Sequence, residues 1–236
     1  MATLTAYPDP DPETTTCDGW VRYLNGGGSG NGITWASLLG QTGNSSSDAT
    51  EGQGPHAGWK TDTDTNKWDN LRRGIALFDT SSIGDTDTID DATYSAFGDI
   101  KLDDSSNSPI LNIYSSGPAS NTGLTGTDHN TIGSTAYSSN ITYSAFDENG
   151  YNDFVFNGTG EAAISKTGVT KTGTREVTYD VGATAPTWGS NNNTYFVIFA
   201  AETTGTTSDP KLVVNYTATA TVTSILVNNS LYPIVN

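Results

Sequence analysis

The chain has 236 residues, and Asp and Glu outnumber Lys and Arg by 26 to 10, for a formal net charge of −16. A field of that sign repels phosphate backbones and anionic membranes, which sets both aside as partners. Only 15% of the residues are charged; the polarity comes from Gly, Ser, Thr, Asn and Asp, which favour turns and strands, while 10% aromatics supply apolar area that disordered chains lack.

Pro8, Pro10 and Pro12 stand at alternate positions, which forbids a central strand and marks residues 1–13 as an extended edge or arm. The opening residues Met1 to Asp9 carry neither the basic region nor the apolar stretch of a secretory signal. No segment is long and apolar enough to span a bilayer as a helix. Residues 14–23 read as a first strand, with Cys17, the sole cysteine, expected to pack in or beside it. The glycine run at 26–30 lacks the Lys and Ser/Thr of a phosphate loop and reads as flexible chain. Thr34 to Leu39 is a short helix or strand, and 41–67 is a long polar loop beside Trp59 and Trp68.

Arg73 to Asp79 is the clearest strand, followed by a turn at 80–85 and an alternating strand at 89–98. Further strands are expected at 110–114, 141–146, 152–156, 175–179, 195–201 and 211–216, with one short helix at 160–166. Residues 217–236 carry no charged side chain and hold two β-like runs, 222–227 and 231–235. The pattern predicts an all-β, antiparallel sandwich of jelly-roll type with at most one or two short helices. Its limits are placed at 14–216, between an N-terminal extended arm (1–13) and a C-terminal uncharged β arm (217–236). Val222, Ile225, Val227, Leu231, Tyr232 and Ile234 are the arm's partner-binding residues, adding strands to a neighbour's sheet edge. A closing hairpin of the same domain is the alternative.

Three stretches belong together: Asp69 to Ile83, Ile89 to Phe97, and Tyr195 to Glu202 running into Asp209-Pro210-Lys211-Leu212-Val213-Val214-Asn215-Tyr216. They resemble the DNRLRE-type carbohydrate-binding-module-like β-sandwich family. In that family an Arg-bearing strand ends in Phe-Asp, an I-x-x-A strand follows, and a P-K-L-x-V-x-Y strand closes the domain. Arg73, Phe78, Asp79, Ile89, Ala92, Pro210, Lys211, Leu212 and Tyr216 fall on this pattern. Tyr94 stands where the family usually has Leu, and residues 152–171 replace its tryptophan-bearing segment. The resemblance implies a β-sandwich in which Arg73, Phe78, Asp79, Lys211 and Tyr216 are structural. Residues 119–154 also resemble proteins encoded by phages and environmental bacteria, which implies that setting.

Acidic residues abound, so some pair will meet the spacing of a glycoside hydrolase by chance. Asp79 is the sharpest candidate, and its simpler role is to accept turn hydrogen bonds beside Ser81 and Ser82. His56 and His129 lie in loops with no nucleophile elbow and no zinc spacing, which predicts surface placement and no catalytic or transition-metal site. Asp62-Thr63-Asp64, Asp85-Thr86-Asp87 and Asp90-Asp91 offer hard oxygen ligands for a structural Ca²⁺, although none fits the EF-hand pattern and solvated turns are the simpler account. No other cofactor is expected. Of Arg72 and Arg73, one should point inward to a carboxylate or to backbone carbonyls. Trp35, Trp59, Trp68 and Trp188 fall in loop-rich regions, and Trp59 and Trp68 lead as exposed platforms for a glycan, with core anchoring as the alternative.

These readings converge on a non-enzymatic virion surface protein, either a capsid decoration or a fibre-associated domain, with glycan binding as an added expectation. It would assemble in a host cytoplasm with other virion proteins or copies of itself, and bind neither nucleic acid nor membrane. The alternatives are a carbohydrate-binding module of a bacterial extracellular protein and a polysaccharide hydrolase.

Overall fold

The structure is a computed structural model describing residues 1–26, 30–48, 56–202, 205–219, 222–227 and 230–235, the last two segments by backbone alone. Strands take up 42% of it and helices 10%, in an all-β antiparallel sandwich. The strands are β1 (Ala2–Ala6), β2 (Asp18–Leu24), β3 (Ser45–Ser47), β4 (Ala57–Thr61), β5 (Trp68–Asp79), β6 (Thr88–Asp103), β7 (Ile110–Ser115), β8 (Ile141–Thr142), β9 (Tyr151–Val155), β10 (Val169–Glu176), β11 (Asn193–Ile198), β12 (Lys211–Thr217), β13 (Val222–Val227) and β14 (Ser230–Val235). Two α-helices, α1 (Trp35–Leu39) and α2 (Gly158–Ala162), are joined by a 3₁₀ turn at Gly126–Thr131 and a π turn at Val177–Val181, so short helical pieces are more numerous than expected.

β6 ties the two layers together. Its first half pairs with β12 and β9, and its second half, from Gly98, pairs with β11. A Cβ at Gly98 would lie 1.9 Å from the Asp147 carbonyl oxygen, so the crossing demands glycine. From β11 the sheet continues through β4, β5, β10 and β7 to β8, with β2 on the free side of β5. The main core gathers Phe78 from β5, Tyr94 from β6, Ile113 from β7, Phe154 from β9, Phe196 from β11 and Leu212 from β12. Phe78 meets Tyr94 edge-on at 5.5 Å.

Successive residues of a strand face opposite ways, and β5 is buried on both faces. Ile75 and Leu77, opposite in direction to Phe78, pack with Val21, Tyr114 and the fully buried Cys17. Leu71 joins a third cluster beneath α1. That double burial explains why β5 reads as a nearly continuous apolar run.

Several boundaries differ from expectation. Ala2–Ala6, placed by sequence in an arm, runs antiparallel to β12 as an edge strand. The expected loop at 41–67 contains β3 and β4, and residues 143–146 turn away after the two-residue β8. The strand expected at 175–179 ends at Glu176, whose carboxylate accepts hydrogen bonds from Thr178, Tyr179 and Asp180 and caps the π turn. β13 and β14 form their own two-stranded sheet, with Ile225 opposite Tyr232 and Leu226 opposite Leu231. The side chains of the expected arm residues Val222, Ile225, Val227, Leu231, Tyr232 and Ile234 lie outside the described residues, as does much of the glycine run at 26–30.

Candidate functional site

Arg73 is the inward arginine. Its Nε and Nη2 donate to the Asp180 carboxylate at 2.9 and 2.7 Å, and Arg175 donates to the same two oxygens at 2.9 and 2.7 Å. Burial alone would raise Asp180, but the two guanidiniums hold it well below the usual carboxylate range. The remaining Nη1 groups donate to the His129 carbonyl at 2.7 Å and the Gly133 carbonyl at 2.9 Å. Every strong donor here is spent on the protein itself, so the cluster is a structural clamp between the apolar groups of β5 and the covering segment.

The histidines are not on the surface: His56 and His129 are 1% and 0% exposed. Burial, reinforced by Arg73, holds the His129 imidazole down at about 3, so it is neutral at ordinary pH. The tryptophans correct a second expectation. Trp35, Trp59 and Trp68 are 2%, 3% and 4% exposed and form one cluster with Leu38 and Leu71, against which Trp188 packs. Trp35 meets Trp59 and Trp68 edge-on at 5.7 and 5.6 Å, and its indole donates to the Tyr179 carbonyl at 3.0 Å. The Trp35, Trp59 and Trp68 rings are core rather than exposed platforms, and Trp188 packs against them half-buried.

The other marked residues serve the fold. Phe78 is fully buried, Tyr216 packs against the main core, and the Lys211 ammonium sits 3.8 Å from the Tyr151 ring centre. The Asp79 carboxylate accepts from the Ser81 amide at 2.9 Å, as its turn chemistry predicts. Asp62 accepts from the amides of Gly30, Gly32 and Asp64. Asp87 accepts from Gly84 and Thr219, Asp90 from Thr217 and Asp91 from Asn215. Among the described residues no three His, Cys, Asp or Glu side chains are grouped to hold a metal.

A different set of side chains converges where the sequence raised no flag. Antiparallel register places Arg22 of β2, Arg72 of β5, Gly58 of β4 and Tyr195 of β11 in one rank across four strands. Lys60 and Asn70 follow in the next rank. The Arg22 and Arg72 guanidinium carbons lie 4.7 and 5.6 Å from the Trp20 ring centre. Arg72 Nη1 is 2.7 Å from His56 Nε2. Burial and the neighbouring Arg22 push Arg72 down to about 10, and burial also lowers Arg22. Two of the ten cations of an acidic chain thus face each other, and the ion pairs among the described residues go to Asp180 instead.

No protein-family model matches the chain, and no curated protein matches it in sequence.

The cluster therefore rests on its own geometry. It holds donors in excess: Arg22 Nε and Trp20 Nε1 are buried without a hydrogen-bond acceptor. Asn70 Oδ1, in the next rank of β5, is buried without a donor. The available signal in the sequence was the scarcity of cations, which makes each arginine worth tracing, but only register brings Arg22 and Arg72 together.

Proposed function

We propose that the protein is a non-enzymatic structural component of a virion surface, a capsid decoration or fibre-associated β-sandwich, that assembles through its C-terminal hairpin. The observation that carries this reading is the pairing of β13 with β14 in a two-stranded sheet of their own among the described residues. A lone two-stranded hairpin is marginal in water. Residues 217–236 carry no charged side chain to hold a neighbour off, so another copy or another virion protein can pack against the hairpin or extend it. The likeness of residues 119–154 to phage and environmental bacterial proteins supports the virion setting.

The chemistry of the acids favours binding and display over turnover. Asp69, raised to about 6 by burial and by the neighbouring Asp62 carboxylate, is 7% exposed and Asp62 1%, so these two acids are closed to a substrate. Thr219 is tied to the sandwich, its amide donating to Asp87 at 2.8 Å and its hydroxyl to the Thr86 carbonyl at 2.6 Å. Light scattering on the full chain and on a chain ending at Thr219 tests the reading. An oligomer that becomes monomeric on truncation supports it, and the same number of chains per particle in both overturns it.

A further inference from the structure

We propose that the rank formed by Arg22, Arg72, Lys60, Asn70 and Tyr195 binds a carboxylate-bearing saccharide, with the two guanidiniums taking the carboxylate and the other side chains the adjoining hydroxyls. Like charges directly opposite on neighbouring strands destabilise a sheet. Here the pair stands in register, partly desolvated, with no carboxylate against it among the described residues. An arrangement that costs stability and leaves Arg22 Nε and Trp20 Nε1 without acceptors is the signature of a site built for an absent anion.

Size and charge narrow the ligand. Beside Arg72 is a cleft of about 70 Å³, lined by Arg72, Lys60, Asn70, Asn193, Tyr195 and Trp59, with Arg22 next to it across β5 rather than in the lining. Drug-sized ligands occupy clefts of several hundred Å³, so this one admits one small polar group while the carboxylate and the rest of the ligand lie across the rim. Paired guanidinium forks match a carboxylate. The net charge of −16 disfavours polyanions with dense charge, leaving an otherwise neutral scaffold with isolated carboxylates. Lys60, Asn70, Asn193 and the Tyr195 ring provide the polar and aromatic rim that sugar hydroxyls and a ring face require. This site stands apart from assembly: failure of the hairpin to drive oligomerisation leaves it untouched.

The test is titration calorimetry on the full chain with an oligogalacturonide and with sialyllactose, each beside its neutral methyl ester, and with inorganic phosphate. At least one free acid should bind, with its ester about tenfold weaker or more, the loss expected when a charge-assisted hydrogen bond goes. Arg22→Gln and Arg72→Gln should each weaken the acid by a similar factor. Their melting temperatures should stay level or rise, because each relieves the guanidinium repulsion. Absence of binding by both acids, equal binding of acid and ester, or phosphate binding as tightly as the saccharides would overturn the proposal. So would arginine variants that melt markedly lower while still binding normally.

Discussion

Replacing Asp180 by Asn removes one negative charge and almost no volume, which isolates the electrostatics of the buried clamp. In the native chain the Asp180 side chain is 1% exposed and accepts two forked pairs of hydrogen bonds, with both ion pairs at 2.7 Å. An amide there turns one acceptor into a donor facing guanidinium, so at least one arm of each fork is lost and two cations are left facing each other without their shared counter-ion. Removing one member of a buried ion pair costs about 3–5 kcal/mol, a large part of the roughly 5–15 kcal/mol that holds a domain together. At about 2–4 °C per kcal/mol for a chain of this size, the melting point should fall by roughly 6–20 °C. Urea denaturation of the two proteins gives the free energy directly. A loss under about 1 kcal/mol would refute the clamp. The triple variant Arg73→Met, Arg175→Met, Asp180→Leu should regain much of the loss, since apolar groups of similar volume often replace a buried ionic cluster at little cost.

Trp59→Ala should destabilise by about 3–5 kcal/mol, as for large aromatic truncations in a core, measured by the same denaturation. A stability change near zero would return Trp59 to the role of an exposed platform. Asp69 supplies a pH test, because burial and Asp62 raise its folded pKa from 3.8 to about 6. A raised acid destabilises the fold above its folded pKa, and that penalty fades as pH falls from 6 towards 3.8. Asp69→Asn, which mimics the protonated carboxyl, should therefore gain stability relative to the native chain at pH 7.5 and lose that advantage at pH 4.5. An equal difference at the two pH values in urea denaturation would rule this out.

Much of the architecture was legible because alternation is local. The apolar run of residues 74–78 and the alternation of 89–98 and 211–216 specify strands whatever lies around them, and Phe78-Asp79 before Ser81 specifies a strand end and a turn whose hydrogen bond the fold forms. The inward turn of Arg73 was also foreseeable, since a cation amid β5's apolar residues must find an acceptor. Its partner was not: Asp180 lies 107 residues away, presented by a π turn where a strand was expected. Alternation assigns a residue to a face but does not say which faces are covered, so Trp59 and Trp68 lead as exposed platforms over core anchoring, and only the packing of Trp35 and Leu38 of α1 against them decides for the core. Register between strands far apart in sequence depends on tertiary pairing rather than on either strand alone. That is why composition could show that cations are scarce, while only the pairing of β2 with β5 could set Arg22 against Arg72.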